Sequence, residues 1–85
     1  MKGNFMKMRE AIVVRLEELC VQRGIKPNQL AYDSGVHPST VKSIINGNSK
    51  NPGICTIKKL CDGLEIDFPE FFEDEVFGEL EQEIG

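Results

Sequence analysis

Hydrophobic residues in the first third of the chain recur with the spacing of one helical face. Between about Met6 and Arg23 they fall at positions i, i+1, i+4, i+7 and i+8, and these are Ile12, Val13, Leu16, Leu19 and Cys20. Arg15 lies outside this stripe together with its charged neighbours, so we expect it on the exposed face. Gly24 predicts the end of the helix, because glycine readily takes the left-handed conformation that closes a helical C-terminus.

Two short helices separated by a tight turn are predicted next. Pro27 suits the first turn of a helix, where its missing N–H has no intrahelical role, and Gly35 ends that helix eight residues later. His37 is held extended by Pro38, so it can cap a third helix that runs to Asn46. The inward positions of the third helix are Val41, Ile44 and Ile45.

Two further helices complete an all-α prediction. A fourth helix is expected from about Ile54 to Leu64, with a buried face made of Ile54, Ile57, Leu60, Cys61 and Leu64. Asp67 predicts the N-cap of a short fifth helix that ends near Phe72. No useful length of chain alternates with the two-residue period of a strand.

Length and composition narrow the class of protein. A chain of 85 residues allows one domain with a modest core, and 40% hydrophobic with 28% charged residues is a globular balance. No apolar run approaches the roughly 18–20 residues of a membrane helix. The N-terminus has no apolar stretch of the signal-peptide type either. We therefore expect a cytoplasmic protein without a membrane partner.

Cysteine and histidine give little support to catalysis or metal binding. Cys20, Cys55 and Cys61 form no CxxC pair, and we expect them to be reduced core residues, with a three-thiolate zinc site as the alternative. His37 is the single histidine, and capping or phosphate contact at a helix start explains it better than chemistry. No nucleophile has a base beside it in the pattern. The sequence predicts no enzyme, cofactor or metal.

Charge is divided unevenly along the chain. Residues 1–66 hold all ten basic residues and six acids, which leaves a charge of +4. Residues 67–85 hold eight acids and no base, a charge of −8. The overall charge of −4 therefore describes neither part. Because residues 1–66 carry a net positive charge, binding of nucleic acid by this part of the chain is not excluded.

The acidic end also has an apolar pattern. Val76, Phe77, Leu80 and Ile84 recur between acidic residues and predict a short amphipathic helix. Docking on its own domain or on a second subunit is the first interpretation, and an apolar patch of Phe5, Met6 and Met8 could receive it. The alternatives are a disordered solubilising tail and a regulatory segment whose acids compete with DNA phosphate.

The second and third helices have the form of a helix-turn-helix motif, in which the second helix enters the major groove of DNA. The outer face of that helix must then present small polar groups, and Ser39 and Ser43 lie there one turn apart. Serine can donate to or accept from several bases. The predicted phosphate contacts, which fix register without reading sequence, are Lys42, Asn46, Lys50 and Asn51.

Residues 12–72 resemble the lambda-repressor/Cro-like (Xre-type) helix-turn-helix family. The resemblance is carried by an ordered string: Leu30-Ala31, Gly35-Val36, Ser39-Thr40-Val41, Ile44, Asn46-Gly47, Asn51-Pro52, Ile57, Leu60 and Phe71-Phe72. It implies five helices and usually a homodimer on a near-palindromic operator, with half-sites about 34 Å apart.

The resemblance also implies roles for individual residues. Ser39 and Ser43 fall where the family reads bases, with Pro38 at a third such place. Thr40, Asn46 and Lys50 fall at phosphate-contacting positions. The family often has a polar residue where this chain has Pro27, and Gln29 is the candidate to replace it.

These observations predict a sequence-specific DNA-binding transcriptional regulator, a repressor that acts as a homodimer. We expect a DNA-binding domain over residues 1–72 and an acidic amphipathic tail over residues 73–85. The alternative is an antitoxin-type or other protein-interaction module on the same fold, with a protein partner bound through the acidic segment.

Overall fold

Helices account for most of the chain and follow the pattern of its apolar positions. The computed structural model describes residues 6–84. Within them lie five α-helices and a 3₁₀ helix: α1 (Met8–Arg23), α2 (Pro27–Ser34), α3 (Pro38–Ile45), α4 (Ile54–Leu64), α5 (Phe68–Phe71) and the 3₁₀ helix (Glu75–Gly78). In the same residues, extended pairing is limited to an isolated bridge between Met6 and Leu80. The expected all-α fold with five α-helices is confirmed.

Two glycines end helices where a side chain would be strained. Gly24 and Gly35 have φ angles of 67° and 66°, in the left-handed region that favours glycine. After each of them the chain folds back, since Ile25 N–H donates to Cys20 O and Val36 N–H donates to Ala31 O, both at 3.0 Å. The second of these turns is three residues long and leads directly into α3.

The core is formed by the inward faces of all five α-helices. α2 packs against both α3 and α4, and α1 contacts α2, α3 and the 3₁₀ helix. The buried cluster comprises Ile12, Leu16, Leu19, Cys20, Leu30, Ala31, Val41, Ile44, Ile57, Leu60, Cys61, Leu64 and Phe71. Because α3 lies over this cluster, its inner face is fixed and its outer face is left to solvent.

The contact between α2 and α4 depends on a glycine within a helix. A Cβ atom on Gly63 would lie 3.1 Å from Ser34 Cα and closer still to Ser34 Oγ. No side chain fits in that space without moving one of the helices. Ser34 Oγ is buried at this crossing and has no hydrogen-bond partner among the described residues. The close approach explains why glycine occupies position 63, although glycine within a helix costs about 1 kcal/mol of stability relative to alanine.

Arg15 corrects the sequence prediction, because its side chain is buried rather than exposed. It is 7% exposed, and its Nε and Nη2 atoms donate to Phe71 O at 2.7 Å and Glu70 O at 2.8 Å. Carbonyls at the end of a helix lack regular intrahelical donors, and the guanidinium donates to the last two carbonyls of α5, of which Glu70 O also accepts from Glu73 N–H at 3.3 Å. Its Nη1 atom also bonds Glu18 at 2.7 Å and Asp74 at 3.4 Å.

The start of α4 brings two further corrections. Ile54 was expected on the buried face but is 62% exposed, and Cys55 was expected in the core but is exposed. Both residues lie in the first turn of the helix. There the apolar stripe ends in an open cleft beside Met8 and Ile12 instead of under another helix. The other two cysteines are buried, as predicted.

The acidic end docks on the body of the molecule without forming the amphipathic α-helix that its pattern predicts. Phe77 lies in the 3₁₀ helix, with its ring 4.9 Å from that of Phe72 and 5.9 Å from that of Phe71. At the start of the segment, Val76 N–H donates to Asp74 at 2.9 Å and holds the pKa of that carboxyl below its usual range. Ile84 is 82% exposed.

The N-terminal apolar patch contacts this end only in part. Met6 pairs with Leu80, whereas Phe5 lies outside the described residues. Met8 packs against the core cluster. The division of the chain at residue 72 into a DNA-binding domain and a tail remains a prediction.

Candidate nucleic-acid interface

The N-terminus of α3 is held by a histidine cap. His37 has the extended backbone of an N-cap, and its Nδ1 atom accepts from Ser39 N–H at 3.1 Å. Pro38 occupies the first helical position, where a missing N–H costs nothing. The cap that the sequence predicts therefore forms, and it satisfies one of the free N–H groups at the start of the helix.

The same histidine also contacts the Ser39 side chain. Ser39 Oγ lies 2.8 Å from His37 Nδ1. In the tautomer in which Nδ1 carries no proton and accepts the backbone N–H, the Ser39 hydroxyl is the donor of this second contact. The proton of that hydroxyl is thus used within the protein. Its lone pairs remain free and point to an acceptor role for Ser39.

The remaining predicted residues of α3 lie along one helix and its end. Thr40 and Lys42 are exposed, and Ser43 is half-buried one turn after Ser39. Ser43 O accepts from Asn48 N–H at 3.0 Å and from Ser49 N–H at 3.1 Å, which folds the following loop back onto the helix. The exposed Asn46 ends the helix. The structure therefore brings these side chains to one surface of the molecule.

Gln29, which is predicted to contact phosphate, stands apart from that group. It is exposed on α2, and its amide donates to Asp33 at 2.8 Å. None of the hydrogen bonds described for Gln29 reaches another predicted site residue. The neighbouring carboxylate also makes its surroundings less favourable for phosphate.

Two lysines face a cleft between the start of α2 and the end of α3. The cleft has a volume of about 330 Å³ and is lined by Lys26, Pro27, Asn28, Lys42 and Ile45. Sequence reasoning missed Lys26 and Asn28. The signal was present, because Lys26 directly precedes the proline that starts α2, and a helix N-terminus attracts anions.

Lys50 and Asn51 lie in the loop between α3 and α4, and both are exposed. They share a cleft of about 300 Å³ with the apolar start of α4, with Arg9 of α1 and with Glu83 of the acidic end. Arg9 is a third residue that sequence reasoning missed. It lies in the first turn of α1 and was not connected with a loop forty residues away, because periodicity carries no information about which turns meet.

The titration of the cysteines does not suggest a reactive centre. Loss of water on burial, with a smaller contribution from Asp62, raises the pKa of Cys61 to about 11. Burial, followed by the charge of Glu17, raises the pKa of Cys20. In residues 6–84, no three His, Cys, Asp or Glu side chains are grouped so that they could hold a metal ion. No helix in this part of the chain is long and apolar enough to span a membrane.

Solved structures that match this chain include two of the same architecture. The crystal structure of the prophage Lp1 protein 11 superposes with a TM-score of 0.77 at 33% identity, covering 89% of this chain and all of that one. The wild-type restriction-modification controller protein C.Esp1396I gives a TM-score of 0.73 at 24% identity, covering 88% of this chain and 95% of that one. The second likeness is one of fold alone.

Comparison of sequences identifies the family. The HTH-type transcriptional regulator SlrR of Bacillus subtilis (strain 168) is 37% identical over 54 residues, which are 64% of this chain. The chain spans 36% of the length of that relative. The family model of the Cro/C1-type HTH DNA-binding domain matches residues 15–76, which include all five α-helices except the first turns of α1. This is a DNA-binding family and not an enzyme family. The chain belongs to the Cro/C1-type helix-turn-helix DNA-binding domain family, as its sequence predicts.

Proposed function

We propose that this protein is a sequence-specific DNA-binding transcriptional regulator, a repressor that acts as a homodimer. The observation that carries the proposal is the division of α3 into two faces. Val41 and Ile44 are buried, whereas Ser39, Thr40 and Lys42 are exposed on a helix whose start is capped by His37. A polar helix that the core holds against rotation is what major-groove reading requires.

Ser39 and Ser43 are the proposed base-reading residues, with Pro38 making an apolar contact beside them. Because the Ser39 hydroxyl donates to His37, it offers lone pairs to a base. In the major groove the exocyclic amino groups of adenine and cytosine are the donors that such an acceptor can meet. We therefore expect an adenine or a cytosine opposite Ser39.

Phosphate contacts are proposed on both sides of α3. On one side Lys26 and Asn28 join Lys42 around their shared cleft. Gln29 lies further along α2 and would have to exchange its hydrogen bond to Asp33 for one to a phosphate oxygen. On the other side lie Asn46, Lys50 and Asn51, with Thr40 on α3 itself. These contacts would position the helix in the groove, and their number sets how steeply affinity falls with salt.

A homodimer is supported by the start of α4. Ile54 is a large exposed apolar residue directly after the loop that holds Lys50 and Asn51. A second copy packed on this side would have its own α3 near the same face of DNA, and two half-sites one helical turn apart are about 34 Å from centre to centre. Extents of 38 × 23 × 19 Å allow two copies to lie side by side at that spacing. Repression would follow from occlusion of a promoter.

The test is selection of bound duplexes from a random DNA library at near-physiological salt. The expected result is an enriched motif with two inverted halves. Ser39→Ala and Ser43→Ala should each change the base preferred at one position of a half-site without unfolding the protein. Val21→Ala, an exposed change on α1, is the control and should leave the motif unchanged. An identical motif from all three variants would show that the outer face of α3 does not read the DNA sequence.

The protein-interaction alternative rests on a different observation. Residues 79–84 carry three carboxylates and no base, and all of them except Leu80 are exposed, including Ile84. A basic partner such as the toxin of a toxin–antitoxin pair would suit this segment. A library that yields no motif would favour this function over regulation of transcription.

A further inference from the structure

We infer that residues 79–84, here called the acidic strap, lie across cations at the edge of the DNA interface and weaken DNA binding until they are displaced. The inference rests on the proposed function, since Lys50 and Asn51 are phosphate-binding residues only if the protein binds DNA. It adds a regulatory contact that the family resemblance does not supply.

The segment before the acidic strap is anchored to the body. Asp74 is tied to the buried Arg15 at 3.4 Å, and Phe77 packs its ring against those of Phe71 and Phe72. These contacts fix the direction in which the chain leaves the 3₁₀ helix. The side chains of Glu81 and Glu83 are thereby brought to the start of α1, beside Lys7 and Arg9 respectively.

The acidic strap itself is held lightly. Met6 N–H donates to Glu79 O at 3.3 Å, and Glu81 N–H donates to Met6 O at 3.0 Å. Glu81 also forms an ion pair with Lys7 at 3.5 Å, in which both side chains are about half exposed. An exposed pair of this kind contributes little and is screened by salt. The acidic strap can therefore leave its site without unfolding the core.

The end of the acidic strap reaches the loop between α3 and α4. Glu83 lines the same cleft as Lys50, Asn51 and Arg9. Arg9 also lines a second cleft with Gly47 and Ser49 of that loop, so the basic side chain borders the loop on two sides. A carboxylate in this position competes with a phosphate for the same cations. DNA must displace it or bind beside it against like-charge repulsion.

The consequence is an affinity that depends on where the acidic strap lies. While it is docked, the positive edge of the interface is partly neutralised. When DNA, or a basic partner that binds the acidic strap, removes it, Lys50 and Arg9 become available to the backbone. Such a partner would increase DNA binding without touching α3.

The test compares two double variants of the full chain that have the same net charge. Glu81→Gln with Glu83→Gln removes two charges from the acidic strap. Glu17→Gln with Glu73→Gln removes two exposed charges that do not line the cleft of Lys50. Thermal unfolding of each protein confirms that the fold is intact. Affinity for the selected duplex, or for a mixed-sequence duplex, is measured from low to high salt.

We expect the acidic-strap variant to bind DNA about threefold to tenfold more tightly than the control variant at low salt, with the difference shrinking as salt screens it. Equal affinities of the two variants alongside measurable binding by the wild-type protein would overturn the inference and leave the proposed function standing. Binding by the acidic-strap variant alone would support the inference strongly. If none of the three proteins binds DNA, the proposed function fails and the inference fails with it.

Discussion

The two faces of α3 differ in what their side chains contact. On the inner face Val41 and Ile44 are 1% and 2% exposed, and each contact they make is with the protein's own core. On the outer face Thr40 and Lys42 are exposed, and the exposed Ser39 hydroxyl contacts only His37 Nδ1, at 2.8 Å, among the hydrogen bonds of residues 6–84. The inner face is complete without a ligand, whereas the outer face presents unused hydrogen-bonding capacity. Stability and the proposed recognition of DNA are thus assigned to opposite faces of one helix.

The largest effect should come from the inner face. Ile44→Ala removes fully buried methyl groups and should lower the free energy of unfolding by about 2–5 kcal/mol. Lys42→Ala, its matched change on the outer face, should alter that free energy by less than about 0.5 kcal/mol but weaken DNA binding across all sequences. Urea unfolding and a salt series of DNA affinities measure both. Comparable loss of stability in the two variants would contradict the separation of the faces.

A smaller effect is expected at His37, which caps the start of α3 and also contacts the Ser39 side chain. His37→Ala removes the cap of Ser39 N–H and should cost about 0.5–2 kcal/mol in unfolding free energy. It also frees the Ser39 hydroxyl to donate, so the base preferred opposite Ser39 should broaden. His37→Asn restores a capping acceptor and is expected to recover most of the stability. Unfolding curves and repeated duplex selection on the same proteins separate the two roles.

The smallest predicted effect is a difference in alkylation rate between the exposed thiol and the two buried thiols. Cys55 is exposed, whereas burial raises the pKa of Cys20 and raises that of Cys61 to about 11, so the buried thiols carry little thiolate at pH 8. A thiol-alkylating reagent should therefore modify one site per folded chain, and the other two only after denaturation. Peptide mass spectrometry identifies the sites. Early modification of Cys61 would show that the inner face of α4 opens readily.

Much of the architecture followed from local signals. The ends of α1 and α2 are set by Gly24 and Gly35, and the start of α5 by the Asp67 side chain, which accepts from Glu70 N–H at 2.9 Å. Each signal acts within a few residues, so a single sequence contains it. The turn between α2 and α3 was predictable for the same reason, and with it the exposed face of α3 that carries Ser39 and Thr40.

The departures share a different cause, which is contact between parts of the chain that are distant in sequence. Arg15 is buried because it meets carbonyls 55 and 56 residues further on. Ile54 is exposed because no helix within residues 6–84 covers the start of α4. The acidic end forms a 3₁₀ helix in which aromatic packing holds Phe77, rather than the regular α-helix that its apolar spacing indicates. Periodicity identifies a face but not the surface that it meets.

The crossing of α2 and α4 at Gly63 has a consequence for how this protein can evolve. α2 contacts α4 at Ser34, which is the last residue of α2. The three-residue turn that leads into α3 begins at the next residue. A side chain at position 63 would push the end of α2 away from α4 and tilt it. Because the turn joins α2 to α3, α3 would move as well. Under the proposed function, a substitution at this helix crossing would therefore change the position of α3 on DNA without replacing Ser39 or Ser43.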